Sequence, residues 1–95
     1  MEPFVVPITD ELDLHTFQPR DVADLLDDYF AACVEKGILS VRVIHGKGQG
    51  VLRQRVQRIL GRHRLVAGFG AAPPEAGGWG ATLVQLRPPV TVSLE

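Results

Sequence analysis

Two stretches of the chain repeat their apolar residues at helical spacing. Val22, Leu25, Leu26, Tyr29, Phe30 and Cys33 stand at i, i+3, i+4, i+7, i+8 and i+11, which lines them along one side of a helix opening at Pro19 or Arg20. Asp21 and Asp24 suit its positive end, Lys36 its negative end, and Gly37 terminates it. Tyr29 and Phe30 therefore belong to the core. A second helix, from Val51 to about Arg62, carries Leu52, Val56, Ile59, Leu60 and His63 on its inner side, so His63 reads as a buried or capping residue.

Elsewhere the pattern shortens to that of strands. Leu12 and Leu14 alternate with Asp13 and His15; Val41, Val43 and Ile44 form a short buried run; Leu65 to Gly70 and Gly80 to Arg87 supply two more. The Pro- and Gly-rich segment AAPPEAGGW joins the last two as a hairpin loop longer than a tight turn. The predicted order is β-α-β-α-β-β, an α/β chain with a mixed four-stranded sheet and two helices, whose first strand-helix-strand unit makes a parallel pair with a right-handed crossover. Residues 1–11 read as an N-terminal arm, because Pro3 and Pro7 exclude a helix there. Residues 12–87 form the domain, and 88–95 a C-terminal tail whose Leu94 and Glu95 allow a vector-encoded origin.

Ninety-five residues with 45% hydrophobic content suffice for one core and one domain. No apolar run reaches membrane-span length, the start lacks the form of a secretory signal, and the single cysteine cannot form an internal disulfide, so the expectation is a cytoplasmic protein without membrane attachment. Charge is divided along the chain. Residues 1–40 hold nine acidic and two basic side chains, whereas residues 41–95 hold eight basic and two acidic ones. The positive half is where a polyanion would be held, although a solvated helix face accounts for part of it.

That positive half opens with VRVIHGKGQGVL, a strand running through a glycine-rich turn into a helix. Such a turn aims backbone N–H groups and the positive end of a helix at an anion, of which phosphate is the obvious candidate, while His45 and Lys47 add a proton carrier and a charge. A tight chain reversal alone would also use these glycines. Two familiar phosphate loops are excluded: Gly48 follows Lys47 where a Walker A loop has Ser or Thr, and Gly46, Gly48 and Gly50 are spaced one residue short of the dinucleotide fingerprint. Gly46, Lys47, Gly48, Gly50 and Arg53 are thus candidate phosphate contacts. Arg55, Arg58 and Arg62 line a separate flank of the helix that can follow a phosphate backbone.

Asp13 and His15 project from one face of the first strand, so the carboxylate can orient and charge the imidazole for acid–base work, or both can be ordinary polar residues of an exposed face. Trp79 can stack on a base or pack against the hairpin.

The L-D-L-H strand at 12–15, the H-G-K-G loop at 45–48 and the G-G-x-G-A-T run at 77–82, in this order, resemble the Smr (small MutS-related) domain, and the resemblance spans about Leu12 to Leu86. It implies a two-layer α/β sandwich similar to the C-terminal domain of bacterial translation initiation factor three, and an endonuclease acting on DNA or RNA. Carried over by position, the functional residues are Asp13, His15, His45, Gly46, Lys47 and Gly48. Many members have glycine after the first histidine; this chain has Thr16, so the turn there must be made differently.

The mechanism expected from these readings is a nuclease that needs no metal, with Mg²⁺ or Mn²⁺ at most stimulating it. His15, oriented by Asp13, and His45 exchange protons with the attacking and leaving oxygens, while the loop amides and Lys47 hold the scissile phosphate. A two-metal mechanism is disfavoured because Asp13 is the only carboxylate brought near the loop. Two alternatives stand beside it: a non-catalytic module binding DNA, RNA or the ribosome, and a site for a free nucleotide or small phosphate ester. A monomer is the expected state.

Overall fold

The computed structural model describes residues 8–46 and 50–88. Strand β1 (Glu11–Asp13) leads through a 3-10 turn at Pro19–Asp21 into helix α1 (Val22–Glu35). Then come β2 (Ser40–Ile44), α2 (Val51–Arg62), β3 (Val66–Ala71), two 3-10 turns at Pro74–Ala76 and Gly78–Gly80, and β4 (Ala81–Leu86). The expected element order holds throughout. Lys47, Gly48, the arm up to Pro7 and the tail beyond Pro88 lie outside the described residues.

The sheet order is β1-β2-β4-β3, with β1 parallel to β2 and β4 antiparallel to both its neighbours. Leu12, Leu14, Val41, Val43, Val84 and Leu86 turn to one side, where they meet Val22, Leu26, Phe30 and Cys33 of α1 and Val56 and Leu60 of α2 in a single buried cluster. One residue in two of each strand faces inward, one helical stripe of each helix covers them, and a two-layer sandwich results.

Each helix is ended by a specific device. At the C-terminus of α1, Gly37 adopts φ +80°, and its N–H and that of Ile38 donate to the carbonyls of Val34 and Cys33 at 3.0 and 2.8 Å, which satisfies carbonyls the helix leaves bare. Helix α2 begins on Gly50 at φ +83°, a conformation that a Cβ would strain, with no side-chain cap. At its far end the His63 ring, 8% exposed, accepts from the Leu65 N–H through Nδ1 at 3.0 Å and meets the Asp27 carboxylate of α1 through Nε2 at 3.0 Å. Phe30 stands edge-on to it. The imidazole both caps and is buried, and it staples the two helices together. The Tyr29 hydroxyl donates to the Thr9 carbonyl, tying the segment before β1 to α1. Among the described residues no helix is long and apolar enough to cross a membrane.

The register gathers three strand ends. Asp13 pairs with Ile44 and Ile44 with Ala81, so the ends of β1 and β2 and the start of β4 form one row, beside the loop that enters α2. This is the end of the sheet to which Asp13, His15, His45 and the GGWG turn are all delivered.

Candidate nucleic-acid site at the strand ends

Strand β1 stops at Asp13, and its carboxylate makes the turn that follows. Oδ1 accepts the backbone N–H of His15 at 3.0 Å and faces the ring Nδ1 of the same residue at 2.9 Å, while the Phe17 N–H donates to the Leu14 carbonyl at 3.0 Å. A side chain that accepts two residues ahead replaces the backbone bend that glycine would supply, which is how Thr16 is accommodated; no non-glycine residue described has positive φ. Asp13 and His15 therefore meet through a turn rather than through strand alternation alone. With Nδ1–H donated to the carboxylate, the His15 ring leaves Nε2 without a partner among the described residues, and its side chain is 73% exposed. The backbone hydrogen bond from His15, followed by that from its ring, holds the Asp13 carboxyl below the usual range, so it is a carboxylate wherever the protein is folded near neutrality.

His45 points the other way. It follows Val41 and Val43 at alternate positions and turns with them beneath the sheet, 6% exposed. Nδ1 donates to the Gly46 carbonyl at 3.1 Å, and Nε2 accepts the Thr82 hydroxyl at 2.8 Å. Burial lowers the pKa of the ring, the hydrogen bond to Gly46 opposes this and the charge of Arg53 adds to it; the imidazole is neutral. Both ring nitrogens of His45, the residue expected to exchange protons with a substrate, are hydrogen-bonded inside the protein. The backbone amides of His45 and Gly46 are also used: both donate to the Gly80 carbonyl, at 3.0 and 2.9 Å. Gly46 consequently offers no free N–H to a phosphate, and its φ of +82° bends the chain at the loop entrance instead.

Helix α2 begins just beyond this loop, with Gly50 as its N-terminal boundary residue. Gly50 gives its carbonyl to the Gln54 N–H at 2.9 Å, and among the described residues no capping side chain and no acidic residue of the first turn meets the positive end of the helix. Arg53, one turn into the helix, lays its guanidinium carbon 3.7 Å from the centroid of the Trp79 ring. Among the described residues no group of three His, Cys, Asp or Glu side chains is arranged to hold a metal ion.

The profile of the Smr domain matches residues 12–87. This chain belongs to the Smr domain family. Curated relatives include proteins named endonuclease MutS2 from Geobacillus kaustophilus, 42% identical over 77 residues, and from Staphylococcus carnosus, 36% identical over 77 residues; each match covers 81% of this chain and 10% of the relative. The chain thus spans about a tenth of the length of these relatives. The crystal structure of the Smr domain of Thermus thermophilus MutS2 superposes with a TM-score of 0.79 at 36% identity, covering 84% of this chain and all of that one. YdaL, a stand-alone small MutS-related protein from Escherichia coli, gives 0.77 at 28% identity, covering 85% of this chain and 66% of its own.

In this Smr domain the arginines of α2 are divided between two surfaces. Arg53 reaches the GGWG turn, whereas Arg55, Arg58 and Arg62 are exposed on the outer flank, where Arg55 and Arg58 border a shallow groove with Val51 and Gln54. Two residues that build the site were not singled out from the sequence. Thr82 holds His45, and its parity with Val84 and Leu86 on β4 was the available signal. Arg42, paired with Glu11 on the open sheet face, donates through Nη1 to the Ala76 carbonyl at 2.9 Å and so ties down the loop before β4.

Proposed function

We propose that this Smr domain is a phosphodiester-cleaving endonuclease acting on DNA or RNA, with His15 as the proton-transfer group. The observation that carries the reading is the Asp13–His15 pair: a solvent-facing imidazole whose Nδ1 proton is engaged by a carboxylate and whose Nε2 has no partner among the described residues. Its carboxylate residue stands beside Ile44, the last residue of β2. On RNA, Nε2 removes the proton of a 2′-hydroxyl, that oxygen attacks the adjacent phosphorus, the bond to the 5′-oxygen breaks, and water protonates the departing oxygen, leaving a cyclic phosphate. On DNA, water is the attacking group. The first turn of α2 and Arg53 stabilise the added negative charge, with Lys47 of the intervening sequence as a further cation. His45 is a positioning residue: it anchors the loop entrance to β4. The scheme requires no metal, and Mg²⁺ or Mn²⁺ acts in it only by screening phosphate charge.

A second reading has an observation of its own. Because His45 is committed internally, one histidine rather than two faces the substrate, as a module that binds nucleic acid without cleaving it would also have. The deciding experiment is cleavage of labelled single-stranded RNA and of supercoiled DNA, in EDTA and with Mg²⁺ or Mn²⁺, by the native chain and by His15→Ala. The nuclease is expected to cut at least one substrate and to lose cutting, with binding retained, in the variant. Binding of both substrates without cleavage under any condition assigns the chain to the second reading.

A further inference from the structure

Trp79 takes no part in the proton chemistry of Asp13 and His15, yet the fold holds it in place from several sides. It is the only tryptophan in the chain and is 54% exposed. The turn that carries it is fastened by the amides of His45 and Gly46 on the Gly80 carbonyl and by Arg42 on the Ala76 carbonyl. Gly77, at φ +107°, is strained for any side chain, and a Cβ there would lie 3.0 Å from the Ala81 Cβ. The ring is therefore presented on a rigid frame rather than on a loose loop. Arg53 lies over one of its faces, so its exposure belongs to the opposite face and the edges. A large aromatic surface at this end of the sheet, backed by the Arg53 guanidinium, pairs a π-face with a positive charge. Nucleotides present the complementary pair, a flat base joined to a phosphate.

The geometry points to Trp79 as a stacking platform for an unpaired nucleobase, with Arg53 contacting the neighbouring phosphate, so that single-stranded or locally opened nucleic acid is the substrate class. This rests on the nucleic-acid binding of the reading above and adds to it the strandedness. In a duplex both faces of each internal base are covered by its neighbours, and an exposed indole on a short turn cannot reach them without unstacking. Stacking on a side chain tolerates any base, so the platform selects strandedness rather than sequence.

The single tryptophan makes the test direct. Intrinsic fluorescence of the full chain is titrated with single-stranded oligothymidylate, with a blunt duplex of equal length and with inorganic polyphosphate, which has the charge without bases. Binding is measured in parallel by anisotropy for Trp79→Leu, Trp79→Phe and Arg53→Gln. The expected result is quenching by the single strand alone. Trp79→Leu weakens single-strand binding about five- to hundredfold, Trp79→Phe recovers part of the loss, and both keep the native thermal midpoint. The salt dependence of binding stays native in the Trp79 variants, which lose no charge, and becomes shallower in Arg53→Gln. Single-strand binding without quenching, equal quenching by polyphosphate, or native affinity in Trp79→Leu overturns the platform; if the native chain also cleaves, the nuclease reading survives that failure. Quenching and affinity loss as expected, in a chain that cleaves nothing, leave the platform standing and remove the nuclease. A chain that binds none of the three probes removes both.

Discussion

His45 accepts the hydroxyl hydrogen of Thr82 at 2.8 Å, joining the end of β2 to the start of β4 beneath the loop that enters α2. With the hydroxyl donating, the ring is neutral, and burial favours that form. Because the folded-state pKa of His45 lies below its ordinary value of 6.5, the unfolded chain binds the extra proton first as pH falls. The stability this group contributes is complete above pH 6.5 and declines as pH drops through and below it. Thermal midpoints measured from pH 8 to pH 5 should fall over that window and should flatten in His45→Gln. The Asp13 carboxyl, with its pKa also lowered, contributes a separate loss only as pH falls below its ordinary value of 3.8.

Asp13 holds His15 by two hydrogen bonds to one oxygen, and the two bonds have different consequences. Asp13→Asn keeps an acceptor for the backbone N–H but loses the charge that favours the imidazolium formed during proton transfer. His15→Ala removes the group itself. Cleavage should fall by about 10²- to 10⁴-fold in His15→Ala and by less in Asp13→Asn, with substrate affinity preserved in both. Equal rates in the native and His15→Ala chains would exclude His15 from the chemistry.

His63 is the buried partner of the α1–α2 staple, and Asp27, 59% exposed, the solvated one. Deleting the imidazole opens space against Phe30 and leaves the Leu65 N–H without its acceptor, whereas deleting the carboxylate lets water replace it. His63→Ala should therefore cost about 2–3 kcal/mol and Asp27→Ala about 0–1 kcal/mol in urea unfolding. Similar losses from both would show the hydrogen bond to Asp27, rather than the burial, to be the source of stability.

The fold was legible because its signals are local. Stripes of helical period, alternating strands and glycines at the chain reversals located both helices and all four strands, and α2 was bounded at Val51 and Arg62 by the glycine before it and the end of its apolar stripe. The site was legible in its residue types and less so in their directions. Period-two alternation carried one step of two residues past Val43 already places His45 inward, but the chemistry suggested by H-G-K-G drew it outward. Its partner Thr82 is 37 residues away in sequence. The contact between Arg53 and Trp79 depends on how the β3–β4 loop folds back on α2, which no local pattern encodes.

Gly50 starts α2 in the left-handed region at φ +83°, and a Cβ built there meets no atom within 4 Å. Space is therefore not what excludes a side chain; backbone strain is. Gly50→Ala should destabilise the domain by about 1–2 kcal/mol in urea unfolding, without the larger penalty of a core clash. Because the residue sets the direction in which the first turn of α2 points, phosphate-dependent binding should weaken with it. An alanine variant as stable as the native chain would mean that the loop reaches α2 by another path.

Arg55, Arg58 and Arg62 stand on the outer flank of α2, apart from Arg53 and Trp79, and this separation makes their contribution measurable on its own. A strand that passes the Asp13–His15 row and continues along α2 meets them as successive phosphate contacts, each releasing counterions. Substituting each by glutamine should make the plot of log affinity against log salt shallower by about 0.7 per residue on single strands. The losses should add, because exposed arginines one turn apart act on different phosphates. Cleavage at saturating substrate should remain, since none of the three approaches the reacting atoms in this arrangement. A small phosphate ester would touch none of them, so affinity indifferent to all three substitutions would confine the ligand to the loop and replace a polyanion by a mononucleotide-sized one.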